Sequence, residues 1–357
     1  MFQSCSTIFK LSLLFFFILF GSSSEFLFRA TQKEGEYPYN PTLGIFVIEM
    51  LKLLISLIFS LVLSLRSDQP LRQIKKSFEP TKARCFLIIP ATLFVIANNL
   101  TFLNLGNWDS SIFKLTMNTQ IIFTTILSFL VLDRKFSKMQ LISVILLILG
   151  CVISQISFLD TNLSEIRKNS QTEFNLSSLA SLFLLVLQTF LSSSGYVSTE
   201  FYYKRDFQDS LHTQNAWLSL WSLLANLTFS ILFLEQKPFN FEYFNQLLEA
   251  KAIVTILLFV VSGILTTSVL KYLNATAKTY ASSLEIFFIA LLFYFVYKTK
   301  MNSLFIISIV IISVSILFYN LKLKMKKKVN SPKMAKNEHF IEEVPLLELD
   351  ELNNAEI

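Results

Sequence analysis

The sequence predicts an all-α membrane protein of about ten transmembrane helices, and three observations carry that expectation. Hydrophobic residues make up 53% of the 357 and charged residues 16%, with a mean hydropathy of +0.55, too apolar a balance for the surface of a soluble domain. Apolar runs long enough to cross a bilayer as helix, about 20 residues each, recur along most of the chain. Basic residues gather at the ends of those runs, an orientation signal that gives the formal charge of +6 no nucleic-acid meaning.

The spans fall near residues 8–28, 41–65, 85–105, 110–132, 138–158, 177–199, 212–234, 252–271, 278–297 and 301–321. The first begins like a signal peptide, with Lys10 before Leu11 to Phe20. Its flank is weakly basic and the apolar run continues to Phe28, so it reads as a span. Arg66, Arg72, Lys75, Lys76, Lys82 and Arg84 separate the second and third spans, and Arg134, Lys135 and Lys138 the fourth and fifth. Lys322, Lys324, Lys326, Lys327 and Lys328 follow the last. All fall on one side if both termini are cytosolic. The opposite side then holds residues 159–176, with candidate glycosylation sequons at Asn162 and Asn175. Lys298 and Lys300, in a turn assigned to the lumen, run against the rule.

A weak repeat is visible: Val131 to Ser137 leads into Gln140 to Ile153 much as Val296 to Asn302 leads into Leu304 to Leu317. Five spans separate the copies, so they would cross the membrane in opposite senses, the trace of an inverted repeat with a substrate site between its halves. The expected organisation is a ten-helix domain over 1–328, in halves of roughly 1–158 and 177–328. An acidic cytosolic tail over 329–357 has a disordered composition and a dileucine-like Leu346-Leu347.

Polar residues inside the apolar spans are the candidates for function. A lysine moved into hydrocarbon costs about 2.5 to 3.5 kcal/mol, so Lys271 and Lys278, in the run Val269 to Glu285 with Asn274, need a cavity, a ligand or the interface. Glu49 and Lys52 lie three apart on one face of the second span and can form a structural ion pair or serve a ligand. Pro90 falls within the third span, ahead of Asn98 and Asn99. Lys114 and Gln120 lie in an unusually polar fourth span, where Lys114 either snorkels or faces a cavity. Ser194-Gly195-Tyr196 permits close helix packing or leaves room for a ligand, and Asn215 follows in the seventh span. Cys5, Cys85 and Cys151 read as small hydrophobes, and His212 and His339 lie far apart, so neither a metal site nor a cofactor is expected. Nothing resembles catalytic equipment, so the chain is not expected to be an enzyme.

Glu49-Met50-Leu51-Lys52-Leu53-Leu54-Ile55-Ser56, Pro90-Ala91 with Asn98-Asn99-Leu100, and Thr124-Thr125 through Gly150 together resemble successive motifs of the nucleotide-sugar transporters. Ser194-Gly195-Tyr196, Gln214-Asn215, and Leu270-Lys271-Tyr272-Leu273-Asn274 with Lys278 extend the likeness, which is greatest to the CMP-sialic acid, UDP-galactose and UDP-N-acetylglucosamine branch. The resemblance implies a drug/metabolite-transporter fold with two inverted five-helix repeats. It also implies exchange of a cytosolic nucleotide sugar for a lumenal nucleoside monophosphate across the Golgi membrane, or alternatively an endoplasmic reticulum or endolysosomal membrane. Lys271 would then contact phosphate, and Asn98, Asn99, Ser194, Gly195, Tyr196 and Asn215 would line the nucleotide pocket.

One departure from the family pattern stands at Gln120, where a Gln-Leu-Lys-Ile motif usually supplies a lysine; here the residues are Asn118-Thr119-Gln120-Ile121. Gln120 can donate hydrogen bonds to phosphate but brings no charge, and Lys114 is near enough to compensate. The bilayer, a second copy or a glycosyltransferase are the expected partners. A non-transporting scaffold recruiting through its tail, or a carrier of another phosphorylated metabolite, is the alternative reading.

Overall fold

A bilayer core offers no water to unpaired peptide groups, so each span must satisfy its own through helix bonds. With 7 Gly and 8 Pro in the whole chain, little interrupts them. The computed structural model describes residues 7–31, 41–107, 117, 119–134, 136–166, 176–206, 209–233, 245, 247–297 and 303–320. Regular structure among the described residues is helical throughout. In chain order the helices are α1 (Thr7–Thr31), α2 (Pro41–Leu65), α3 (Pro70–Phe78), α4 (Lys82–Phe86), α5 (Ile88–Asn107) and α6 (Gln120–Val131). They continue with α7 (Lys138–Ile166), α8 (Leu176–Arg205), α9 (Leu211–Phe233), α10 (Ala250–Tyr272), α11 (Ala275–Tyr297) and α12 (Ser303–Asn320).

Six segments among the described residues are long and apolar enough to cross a membrane: Ile8–Phe28, Thr42–Leu65, Lys82–Thr101, Ala180–Arg205, Leu211–Leu232 and Ala250–Tyr272. Gln120–Val131, Lys138–Ile153 and Ile306–Tyr319 are shorter apolar segments, and α11 completes the set. The molecule is a multi-pass membrane protein. Its exterior carries Ile58, Phe129, Leu130, Ile145, Ile231 and Val310, whereas its interior carries Asn104, Gln188, Asn226 and many hydroxyls. Many interior hydroxyls return a bond to their own helix: Thr189 Oγ1 donates to Leu185 O at 2.9 Å and Ser230 Oγ to Asn226 O at 2.8 Å. That arrangement lets polar side chains sit between helices without partners elsewhere.

The helix contacts are paired in a regular way. Exchange α1, α2, α5, α6 and α7 for α8 to α12 in order, and α5 on α8 becomes α10 on α1, α6 on α8 becomes α11 on α1, and α5 on α9 becomes α10 on α2; all are observed. The pairs α2 with α9, α6 with α11 and α7 with α12 map onto themselves. Two five-helix repeats packed about a twofold would give this pattern.

The helices add detail to the expected spans or depart from them in four places. Pro90 is the third residue of α5, just after the α4–α5 boundary at Leu87, where its missing N–H costs little. The fifth span continues past residue 158 to Ile166, carrying Asn162 on helical backbone, and the sixth runs on to Arg205. The basic connection after α2 contains the amphipathic helix α3. Asn175, Lys298, Lys300 and residues 321–357 lie outside the described residues, as does Lys114.

The α7–α12 pair approaches closely at Gly150, where an added Cβ would lie 2.5 Å from Ile312 Cγ1. Leu147 and Cys151 pack on Ile312 there, and Ser315 Oγ donates to Ser143 O at 2.6 Å. Gly150→Val is therefore expected to destabilise the protein by about 1 to 3 kcal/mol through overpacking. Ile312→Ala in the same background should recover part of the loss, measured as thermal unfolding in detergent.

Candidate functional site

A cavity of about 330 Å³ opens where α1, α2 and α5 meet α8, α9 and α10. Apolar walls come from Phe28, Ile48, Phe94 and Phe259. Polar groups converge on it from several helices: Glu49 and Lys52 on α2, Asn98 and Thr101 on α5, Tyr196 on α8, Ser222 on α9, and Ser262, Thr266 and Thr267 on α10. An apolar cleft with a few placed polar groups is the usual form of a small-molecule site.

Its charged wall is an ion pair. Lys52 Nζ donates to Glu49 Oε1 at 2.7 Å, while Glu49 Oε2 is buried and has no hydrogen-bond partner among the described residues. The lysine stem lies against Gly263, where an added Cβ would come within 3.2 Å of Lys52 Cδ. Glycine at that place gives the cation its room. Lys52 is thus a cation that already borders the cavity and whose counter-ion has an oxygen to spare.

Tyr196 forms another part of the wall and has a cation behind it. Lys278 Nζ, at the start of α11, sits 3.9 Å from the Tyr196 ring centroid and 6.0 Å from that of Phe17, and the residue is buried. A desolvated cation over an aromatic face gains about 2 kcal/mol. Lys278 therefore lies in the interior rather than at the interface, one of the places the sequence left open for it. Tyr196 also packs on Phe94, with ring centroids 5.2 Å apart, and Gly195 makes that possible, since a Cβ there would lie 2.6 Å from Phe94 Cε1.

Asn99, Asn215, Ser194, Asn274 and Gln120 are not part of the cavity's lining. Asn99 ties α5 to its neighbours: Thr42 Oγ1 donates to Asn99 Oδ1 at 3.2 Å, and Asn99 Nδ2 donates to Asn226 Oδ1 at 3.4 Å. Asn215 Oδ1 accepts from Tyr203 Oη at 2.7 Å, and Ser194 Oγ donates to Phe190 O at 2.9 Å. Asn274 Oδ1 accepts from Ala277 N at 2.5 Å, an N-cap of α11. Gln120 begins α6; its carbonyl accepts from Ser193 Oγ at 3.2 Å, but Nε2 is buried without a hydrogen-bond partner among the described residues. The Thr124 and Ser128 hydroxyls, one and two turns further along the same face, share that condition.

Lys271 follows Leu270, which lines the cavity, and the 100° step between them turns its side chain away. Its Nζ donates to Asp209 O at 2.5 Å and to Gln214 Oε1 at 2.9 Å, in the α8–α9 connection. Asp209 also holds Arg84 of α4, with Nη2 2.7 Å and Nε 3.0 Å from Oδ2. A second cluster centres on the fully buried Glu200, which pairs with Arg134 before α7 and with Lys204 at 2.7 Å, and accepts from Ala275 N at 2.8 Å. Both clusters lie at the end of the bundle where the basic connections gather. They join the α4 and α6–α7 segments to α8, α9, α10 and α11 at that end.

The chain matches the Nucleotide-sugar transporter family profile over residues 5–320, almost the whole helical bundle. It belongs to the nucleotide-sugar transporter family. Among its relatives, the UDP-galactose transporter senju of Drosophila melanogaster is 26% identical over 333 residues, covering 86% of this chain and 84% of that protein. CMP-sialic acid transporter 1 of Arabidopsis thaliana is 26% identical over 305 residues, covering 83% and 86%. A solved crystal structure superposes with a TM-score of 0.60 at 10% identity, covering 87% of this chain and 95% of its own, a likeness of fold alone. Members of this family are carriers of nucleotide sugars rather than enzymes.

The sequence left out the α10 wall of this transporter's cavity. Ser262 with Thr266, and Gly263 with Thr267, stand one turn apart on an otherwise apolar helix, and that spacing was the available signal. Lys52→Gln, which leaves Glu49 unpaired, should lower stability by about 1 to 3 kcal/mol, below the range for fully buried pairs because both heads border the cavity. Glu49→Gln combined with Lys52→Gln should recover most of that loss, as read by thermal unfolding.

Proposed function

We propose that this transporter imports a UDP-sugar, UDP-galactose or UDP-N-acetylglucosamine, into the Golgi lumen in exchange for a nucleoside monophosphate. The observation that carries the reading is the cavity itself, bordered by six helices drawn from both halves with the Glu49–Lys52 pair in its wall. A nucleotide sugar carries two phosphates and cannot cross hydrocarbon, so a carrier needs cations in a wet cleft beside groups for base and sugar. Lys52 supplies a point charge that phosphate can draw from Glu49. Tyr196 and Phe94 offer aromatic faces, and Asn98, Ser222 and Thr266 offer hydrogen bonds. Gln120 Nε2 is a donor in reserve, and Lys278 reinforces the positive potential behind Tyr196.

The ion-pair clusters at the basic end support a reading of alternating access. With the basic connections cytosolic, the Arg84–Asp209 and Arg134–Glu200 pairs form a cytosolic gate, and Lys271 belongs to that gate rather than to the pocket. Opening to the cytosol separates α4 and the α6–α7 connection from α8 and α9, while the two halves rock about the site.

The reading is tested with proteoliposomes preloaded with UMP or CMP and offered labelled UDP-galactose, UDP-N-acetylglucosamine and CMP-sialic acid. Exchange of a UDP-sugar against UMP is expected; preference for CMP-sialic acid against CMP would replace the substrate assignment, and no exchange across the panel would defeat it. Glu49→Gln with Lys52→Gln, which leaves no buried charge unpaired, is expected to reduce exchange at least about tenfold, equivalent to ~1.4 kcal/mol. Gln120→Lys should lower KM several-fold if that side chain faces phosphate, and an unchanged KM would remove Gln120 from the site.

A further inference from the structure

The amphipathic helix α3 plays no part in the cavity, yet its side chains are sorted with care. At 100° per residue, Leu71, Ile74 and Phe78 share one edge. Leu71 is 85% exposed and Phe78 47% exposed, while Ser77, further round, is buried. Lys75, Arg72 and Lys76 follow on the other flank of that apolar edge, all exposed. A short helix with a bare apolar edge and a basic flank matches the chemistry of a membrane interface, where the apolar edge enters the acyl boundary and the cations meet headgroups.

The surroundings agree. Helix α3 follows α2, whose last turns expose Leu61, Leu63 and Leu65, and precedes α4 and α5, which expose Phe86, Ile88 and Ile89. The apolar edge therefore continues the lipid-facing belt. The helix is also held rigidly: Arg84 Nη1 donates to Lys76 O and to Glu79 O, each at 2.6 Å, and Trp217 Nε1 donates to Ser77 O at 3.2 Å. A shallow polar depression of about 500 Å³ lies beside it, lined by Gln69, Arg72, Gln73 and Lys76 together with Ser67 and Asp68.

We propose that α3 is an anionic-lipid site: Leu71 and Phe78 lie in the membrane interface, and Arg72, Lys75 and Lys76 bind the phosphate and carboxylate of an acidic phospholipid headgroup. Arg84 grips both the end of α3 and Asp209, so a lipid seated on this helix bears on the segment that closes the basic end of the bundle. The site does not depend on which nucleotide sugar the protein carries.

The test titrates phosphatidylserine into full-length protein in neutral detergent–phosphatidylcholine micelles and follows the thermal-unfolding midpoint. An upward shift of several degrees is expected with phosphatidylserine and none with inorganic phosphate or soluble glycerophosphoserine. Arg72→Gln, Lys75→Gln and Lys76→Gln combined should weaken the phosphatidylserine response by about a hundredfold while leaving the midpoint in phosphatidylcholine unchanged. Leu71→Ser, which keeps every cation, should weaken it less. A triple variant that responds like the wild type would overturn the proposal. So would a full shift with inorganic phosphate, which would make this a soluble-anion site instead. Micelles have no sidedness, so the outcome does not depend on orientation in the Golgi or on exchange activity.

Discussion

The absence of water from the bilayer core governs this molecule more than any single contact does. Every polar group within a span must find a partner in the protein or border a cavity. Hydroxyls solve the problem locally by bonding back to their own helix, and amides solve it between helices, as in Thr42, Asn99 and Asn226 or in Asn104, Gln188 and Thr101. Some buried polar atoms are left over from those pairings, among them Glu49 Oε2, on a residue that lines the cavity.

Cavity and closure are built on the same helices. Leu270 faces the cavity and Lys271 the closure, one residue apart on α10, and Tyr196 and Glu200 stand in the same relation one turn apart on α8. Rotation or tilt of either helix changes both places together. Lys278, behind Tyr196, and Asn274, capping α11, bring a third helix into the same linkage.

The sequence made the spans, the basic side and the candidates Glu49, Lys52, Asn98 and Tyr196 legible, and the structure brings those four to one cavity. It could not separate them from Asn99, Asn215, Asn274 and Lys271, because a polar residue in an apolar run announces that it needs a partner without saying which. That choice depends on helix rotation, which is fixed by packing between segments distant in the chain. The Glu200 cluster was harder still, since its cations Arg134 and Lys204 read as ordinary interfacial charges.

Glu200 shares its charge between Arg134, on another segment, and Lys204, one turn along its own helix. If the proposed gate parts at Arg134, the carboxylate keeps Lys204 and the Ala275 amide, so no naked charge is left in a dry place. Arg84 is equally protected, because the carbonyls of Lys76 and Glu79 stay with it when Asp209 leaves. Breaking an unsupported buried pair would cost several kcal/mol and hold the protein shut. With these spare partners the open and closed states of the proposed carrier can be nearly isoenergetic, and a nearly level energy profile is what a reversible carrier needs to turn over in either direction at ambient temperature.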